Sequence, residues 1–239
     1  MSCKFHFRDI DDNSAEKISI IIPTLNEAKT IAQTLASTQQ SANNVEVIVV
    51  DGASQDNTVA IAQQMQVKVL SASTGRAIQM NAGALVATGD ILIFLHADTR
   101  LPAQFDTLVR TTLAQPGAIA GAFALRIDAT RSCLRLIELG VNWRSRWLQM
   151  PYGDQAIFLK SAIFHKLGGF PELPLMEDFE LMRQLRRLGR IVIVPAPVLT
   201  SARRWLKQGV FKTTFMNQLA IIAYLLGVSP EQIRRWYRK

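Results

Sequence analysis

The segment 18-ISIIIPTLNEAKTIAQTLASTQQ-40, followed by 45-VEVIVVDGAS-54, decides the fold. Ile18–Thr24 is apolar, β-branched and stops at a proline, which reads as a buried strand entering a loop. From Asn26 or Glu27 the period changes, and Ile31 and Leu35 take the spacing of an amphipathic helix. Val45–Val50 is a second buried strand, with Asp51-Gly52 at its exit.

The same alternation continues outward. Residues 54–65 predict a helix capped by Ser54, Asp56 or Asn57, 67–72 a strand, 75–89 a helix stopped by Gly89, and 90–98 a strand. This is the βαβ signature of an α/β protein, a mostly parallel sheet flanked by helices. Ligands of such sheets bind at the carboxyl ends of the strands. That rule singles out Pro23–Glu27, Asp51–Ser54, Ser73–Arg76 and His96–Thr99. GxGxxG is missing after the first strand and GxxxxGK[ST] is missing throughout, which disfavours dinucleotide-binding and P-loop proteins.

Beyond residue 100 the alternation weakens. Helices are predicted over 105–115, 132–150 and 176–189, and strands over 118–127 and 190–198. The 118–127 strand alternates in character, while 153–170 reads as strand, short helix and Gly-Gly turn. The 176–189 helix carries acids at its start, bases at its end and Gly189 as its stop, matching the helix dipole. Residues 209–239 form an apolar helix, a Gly-Val-Ser-Pro break and a basic aromatic helix. The domain reading is a lead-in over 1–17, one domain over 18–208 divided near residue 100, and a helical extension over 209–239.

Composition sets outer limits. A chain of 239 residues, 49% hydrophobic, can bury a substantial core. Cys3 and Cys133 form no CxxC pair, which argues against a disulfide framework or zinc knuckle and fits a reducing compartment. Residues 1–17 lack the apolar run of a secretory signal, and Leu219–Val228 is about half of what a spanning helix needs. A cytoplasmic protein is therefore expected. From Arg183 onward 12 Lys and Arg face a single acid, Glu231, a bias suited to phosphorylated substrates or anionic lipid. The basic tail carries no recognisable nucleic-acid motif, so no nucleic-acid partner is expected.

Five groups could carry chemistry, each with a plain structural alternative. Asp51 could accept from a nucleobase or ribose, or simply form an Asp-Gly turn. Arg76, at a helix start, suits a diphosphate, or faces solvent. Asp98 is one carboxylate at a strand exit, enough for a hard cation that takes its other ligands from phosphates. Glu177 and Asp178 open a helix, where an acid could serve as general base or only as a dipole partner. Arg203, Arg204 and Trp205 could hold a diphosphate or form a basic loop.

In this order and spacing, "ISIIIPTLNEAKTIAQTL", "VEVIVVDGASQDNT", "GRAIQMNAGALVATGDILIFLHADT" and "MEDFELMRQLRRLG" resemble the family 2 inverting glycosyltransferases of GT-A fold, over roughly residues 18–205. The "HADT" and "TSARRW" versions are similar to a bacterial subgroup of that family. The resemblance implies a nucleotide-sugar donor, in the first instance a UDP-sugar, a divalent metal (Mn or Mg) and an acceptor hydroxyl. It puts Pro23, Thr24 and Glu27 at the base and ribose, Asp51 at the uracil, and Arg76 near base and phosphate. Asp98 matches the last acid of the DxD motif, the metal ligand, with His96 and Ala97 filling the preceding positions. Asp178 matches the catalytic base, with Glu177 beside it. Gly153, Asp154 and Gln155 match the acceptor side, and Arg203, Arg204 and Trp205 the diphosphate and acceptor region. Two departures stand out: His96 replaces the first DxD acid, and Ser201 and Ala202 precede Arg203 where the family has a Gln or Arg. The weighed alternatives are a non-catalytic nucleotide-sugar binder and a nucleotidyltransferase, although the "PTLNEAKT" loop lacks the glycines of the latter. For residues 209–239 the expectations are peripheral contact with the inner face of a membrane, packing on the domain, or a homodimer contact.

Overall fold

The computed structural model describes residues 15–40 and 42–237. The lead-in expected over 1–17 thus lies almost wholly outside the described residues, as does Cys3. The strands are β1 (Ile18–Thr24), β2 (Val45–Asp51), β3 (Lys68–Ser71), β4 (Ile91–Phe94), β5 (Thr99–Arg100), β6 (Ala118–Asp128), β7 (Ile157–Lys160) and β8 (Arg190–Ser201). The helices are α1 (Ile31–Gln39), α2 (Thr58–Gln64), α3 (Arg76–Val86), α4 (Phe105–Leu113), α5 (Ser132–Leu148), α6 (Ser161–Lys166), α7 (Glu177–Leu185), α8 (Arg203–Gln208), α9 (Val210–Leu225) and α10 (Pro230–Tyr237). All described strands join one sheet in the order β3-β2-β1-β4-β7-β6-β8-β5.

The first half of the sheet is parallel: β1 pairs with β2 and β4, and β2 with β3. Beyond β4 it is mixed. β7 runs antiparallel to β4 and β6, β6 is parallel to β8, and β5 is antiparallel to β8. The expected parallel sheet therefore holds where strand and helix alternate, and changes direction where that alternation fails.

Alternate residues of the central strands feed separate cores. Ile18, Ile20 and Ile22 of β1, Ile91 and Ile93 of β4, and Phe123, Leu125 and Ile127 of β6 enter one. Ile21, Leu92, Phe94, Ala120 and Ala122 enter the other. Expected to alternate, β6 is instead buried on both faces from Ala120 to Leu125, because α4 and α5 pack beside it and α7 contributes to the opposite core. Its register with β8 shifts at Phe123/Ala124, opposite Pro195 and Ala196; a proline offers no N–H to the ladder.

Other boundaries moved for local reasons. α1 starts at Ile31 because Asn26 is left-handed (φ 57°) and Glu27 O caps the turn from Thr30 and Ile31. Asp56 binds the first N–H of α2, Thr58 N, at 3.0 Å. Gly89 lies past the end of α3, where a Cβ would fall 2.5 Å from Ser19 Oγ. Arg203, Arg204 and Trp205, for which a basic loop is one of two readings, open the helix α8.

Gly121 lies opposite Phe158, and a Cβ there would come 2.4 Å from the ring. Overpacking in a closed core costs about 1–3 kcal/mol, more than the few tenths to ~1 kcal/mol that Gly→Ala gains through the unfolded chain. Gly121→Ala should therefore lower Tm by a few degrees in a calorimetric scan. An unchanged or raised Tm would show that the ring can move aside.

Candidate functional site

The carboxyl ends of β1 and β4 and the N-termini of α3 and α7 open into one cavity of about 890 Å³. This is the strand-end crevice in which open α/β sheets bind ligands. On the β4 side, Thr34 Oγ1 donates to Ala97 O at 2.9 Å, and Ser201 N–H to Asp98 O at 3.0 Å, fixing the His96–Asp98 turn between α1 and β8. Arg203 Nη2 bridges Glu27 Oε2 at 2.6 Å and Asp98 Oδ2 at 3.1 Å.

The opposite wall holds a second group of carboxylates. Met176 is left-handed (φ 72°) just before α7, a costly geometry for a residue with a Cβ, and it delivers Glu177 and Asp178 to the helix start. Glu177 is buried; its Oε1 lies 2.7 Å from Arg76 Nε, while Oε2 is sealed from solvent without a partner. Asp178 Oδ2 accepts from the Gly153 N–H at 2.7 Å and Oδ1 from the Phe179 N–H at 2.8 Å. A Cβ on Gly153 would fall 2.8 Å from His96 Nε2 and 3.3 Å from Asp178 Oδ2. Only glycine lets this backbone pass between imidazole and carboxylate.

Burial sets the protonation states. It pushes the His96 imidazole down to about 4, with Arg76 adding to the effect, so the ring is neutral at neutral pH. Burial likewise raises Glu177. It pushes Asp154 up to about 6, Arg144 only partly opposing, and Asp154 Oδ1 has no hydrogen-bond partner. The Arg144 guanidinium stacks 3.6 Å over the Tyr152 ring.

Most residues singled out from the sequence meet here. Pro23, Thr24, Glu27, Arg76, His96, Ala97, Asp98, Gly153, Asp154, Glu177, Asp178, Arg204 and Trp205 all line the cavity. Three do not. Arg203 is exposed outside the cavity lining and reaches it through its bonds to Glu27 and Asp98. Asp51 is buried; Oδ2 accepts from Ala53 N and Ser54 N at 3.0 and 2.9 Å, and Oδ1 from the Ser54 and Thr24 hydroxyls. Gln155 is wholly buried, donating to Phe123 O and accepting from Ser145 Oγ, so its amide braces β6 and α5 and does not face an acceptor. In both cases the chain itself satisfies the polar group.

Other wall residues escaped sequence reasoning. Gln79 Nε2 donates to Thr24 O and Val50 O, each at 2.8 Å, pinning α3 to the ends of β1 and β2. A single glutamine within a helix carries no sequence signal for this. Tyr152 and the Glu172–Leu175 loop also line the cavity, as do Asn217, Ile221 and Arg234 from the segment read as a separate extension. The basic character of α10 was the available hint for Arg234.

Among the described residues, no group of three His, Cys, Asp or Glu is placed to hold a metal alone. One carboxylate, Asp98, two residues from the neutral His96 fits a hard cation that takes most of its oxygens from a bound diphosphate, and does not fit an all-protein cage.

A mixed sheet of this order with its cavity at the strand ends is the GT-A fold. A mannosyltransferase, PcManGT from Pyrobaculum calidifontis, solved with GDP-Man and Mn²⁺, superposes with TM-score 0.63 at 24% identity over 79% of this chain and 58% of its own. TarS from S. aureus, solved with UDP, superposes with TM-score 0.64 at 20% identity over 77% and 60%. The glycosyl transferase family 2 model matches residues 19–170, and the chain belongs to that family. A probable glycosyltransferase of Bacillus subtilis, YdaM, is 26% identical over 76% of this chain and 50% of its own length. The chain spans half or less of the length of the curated relatives it matches.

The raised Asp154 makes a pH test with a definite sign. Its folded-state value, about 6, lies above its ordinary 3.8, so ionisation disfavours the fold and stability is lost as pH rises from about 4 through 6. Asp154→Asn removes that loss. The Tm of the variant minus that of the wild type should grow more positive between pH 4 and pH 7 in paired thermal scans. A flat difference would mean that Asp154 titrates normally.

Proposed function

We propose that the chain transfers a glycosyl group from a nucleoside-diphosphate donor, a UDP-sugar in the first instance, to an acceptor hydroxyl with inversion at the anomeric carbon. The observation that carries this reading is the meeting of Asp178, the Arg76–Glu177 pair and Asp98 in one cavity at the strand ends. The donors named for PcManGT and TarS, GDP-Man and UDP, support the ligand class.

In this reading Pro23, Thr24 and Glu27 flank the nucleoside, and the buried Asp51 shapes their loop through Thr24. The diphosphate lies at the N-terminus of α3, where backbone N–H groups and the Arg76 guanidinium meet its charge. The acceptor oxygen attacks the anomeric carbon as the bond from that carbon to the β-phosphate oxygen breaks. The acceptor proton passes to Asp178, and nucleoside diphosphate leaves with the bonding pair. Two backbone N–H bonds hold the Asp178 carboxylate in place before the donor arrives. A divalent cation held by Asp98 and diphosphate oxygens would supply charge neutralisation at the leaving group. Arg204 and Trp205 lie on the same wall and suit the diphosphate and acceptor.

Asp178→Asn should lower the transfer rate by ~10²–10⁴-fold while leaving UDP affinity, measured by calorimetry, within about threefold. Normal turnover by the Asn variant would end the base assignment. UDP binding with no transfer to any acceptor, by wild type as well, would indicate a binding protein instead. Asp98→Ala should remove the gain in UDP affinity that Mn²⁺ confers; an equal Mn²⁺ effect in both proteins would exclude Asp98 as the ligand.

A further inference from the structure

α5 and α9 pack beside each other, and each turns an apolar stripe to solvent. On α5 the stripe is Leu136, Leu139, Trp143 and Trp147, with Trp143 61% and Trp147 74% exposed. These positions follow the helical repeat, so they share one side of the helix. On α9 and just past its end the stripe is Phe215, Leu219, Ile222 and Leu226, with Phe215 65% and Leu226 80% exposed. At 100° per residue these lie opposite Ala220 and Ile221, which line the cavity. All eight side chains are large, apolar and more than a third exposed, on two helices that touch, which is more than singly scattered surface hydrophobics.

Charge decides what fits this face. Exposed bases flank it: Arg131 and Arg146 about α5, Lys207 on α8 and Lys212 on α9. The one acid of α5, Glu138, is buried and paired with Arg135 at 2.9 Å, and α8 and α9 contain no Asp or Glu. A second copy of the chain would set like charges against each other across a two-fold interface. A bilayer surface rich in anionic headgroups offers apolar depth and opposite charge together, and tryptophans prefer that boundary. Among the described residues no helix is long and apolar enough to cross a membrane, so contact would be in the interface plane.

We infer that the α5–α9 face docks on an anionic phospholipid surface. Docking there puts the cavity about one helix diameter, ~10 Å, from the lipid, with α9 as the partition. The sequence pointed to residues 209–239 alone; the structure adds α5 and its tryptophans, and gives the inward face of α9 to the cavity.

The test is co-sedimentation of the full chain with phosphatidylcholine vesicles, with and without about 30 mol% phosphatidylglycerol. Wild type should bind the anionic vesicles, weaken on added salt, and lose at least ~10-fold in affinity in Trp143→Ser/Trp147→Ser and in Phe215→Ser/Ile222→Ser. Both variants should bind UDP as wild type does, which checks folding. No sedimentation of wild type, equal binding to neutral vesicles, or variants that bind like wild type would each overturn the inference. A dimer in sedimentation velocity that the same variants dissociate, without vesicle binding, would assign the face to a second copy. Vesicle binding without UDP binding in wild type would keep this inference and sink the glycosyl-transfer reading.

Discussion

The central strands are apolar on both faces, and this constraint governs the rest of the molecule. A strand such as β1, with all seven residues buried, cannot lie on a surface. Helices must cover both sides, and two cores result. Polar chemistry is then confined to the strand ends, where the chain leaves the sheet and its backbone groups lose their ladder partners. Each device at the cavity answers that loss. Thr34 holds Ala97, Gln79 takes the carbonyls of Thr24 and Val50, and the Asp51 carboxylate gathers the N–H groups of its own turn.

The cavity collects acids to which the fold gives separate partners. Glu177 pairs with Arg76, Asp98 with Arg203, and Asp178 accepts from backbone N–H groups, while Asp154 feels Arg144 and Arg76 only through space. A neutral imidazole at position 96, where the family pattern has an acid, lowers the negative charge of the cluster further. On the Asp98 wall the one carboxylate is held by the Arg203 guanidinium.

What the sequence made legible follows from its physics. Periodicity exposed β1 to β4 and their helices because burial on both faces leaves unbroken apolar runs. The strand-end rule led to Asp98 and Arg76, and the acidic start of α7 together with the family resemblance led to Asp178. Asp51, named by the strand-end rule, and Gln155, named by the resemblance, have their polar groups satisfied within the chain, by partners three residues on and in distant elements. A one-dimensional pattern shows that a polar group is present and does not show what satisfies it. The alternating character of β6 is between large and small apolar residues, Phe123 and Leu125 in one core against Ala120 and Ala122 in the other, so it serves two cores and not an inside and an outside. The closing wall from α9 and α10 was hidden by its distance along the chain.

The contact between the Gly153 N–H and Asp178 has an evolutionary consequence. The carboxylate is anchored to main chain, so side chains around it can be exchanged without moving it. Tyr152 and Asp154, on either side of the anchoring glycine, lie on the cavity wall and are open to such exchange. A lineage could therefore revise the cavity wall through these flanking positions while the Asp178 carboxylate stays in register. Change in the wall and movement of the carboxylate become separable events, and glycine at 153 is held in place because a Cβ there would crowd both His96 and Asp178.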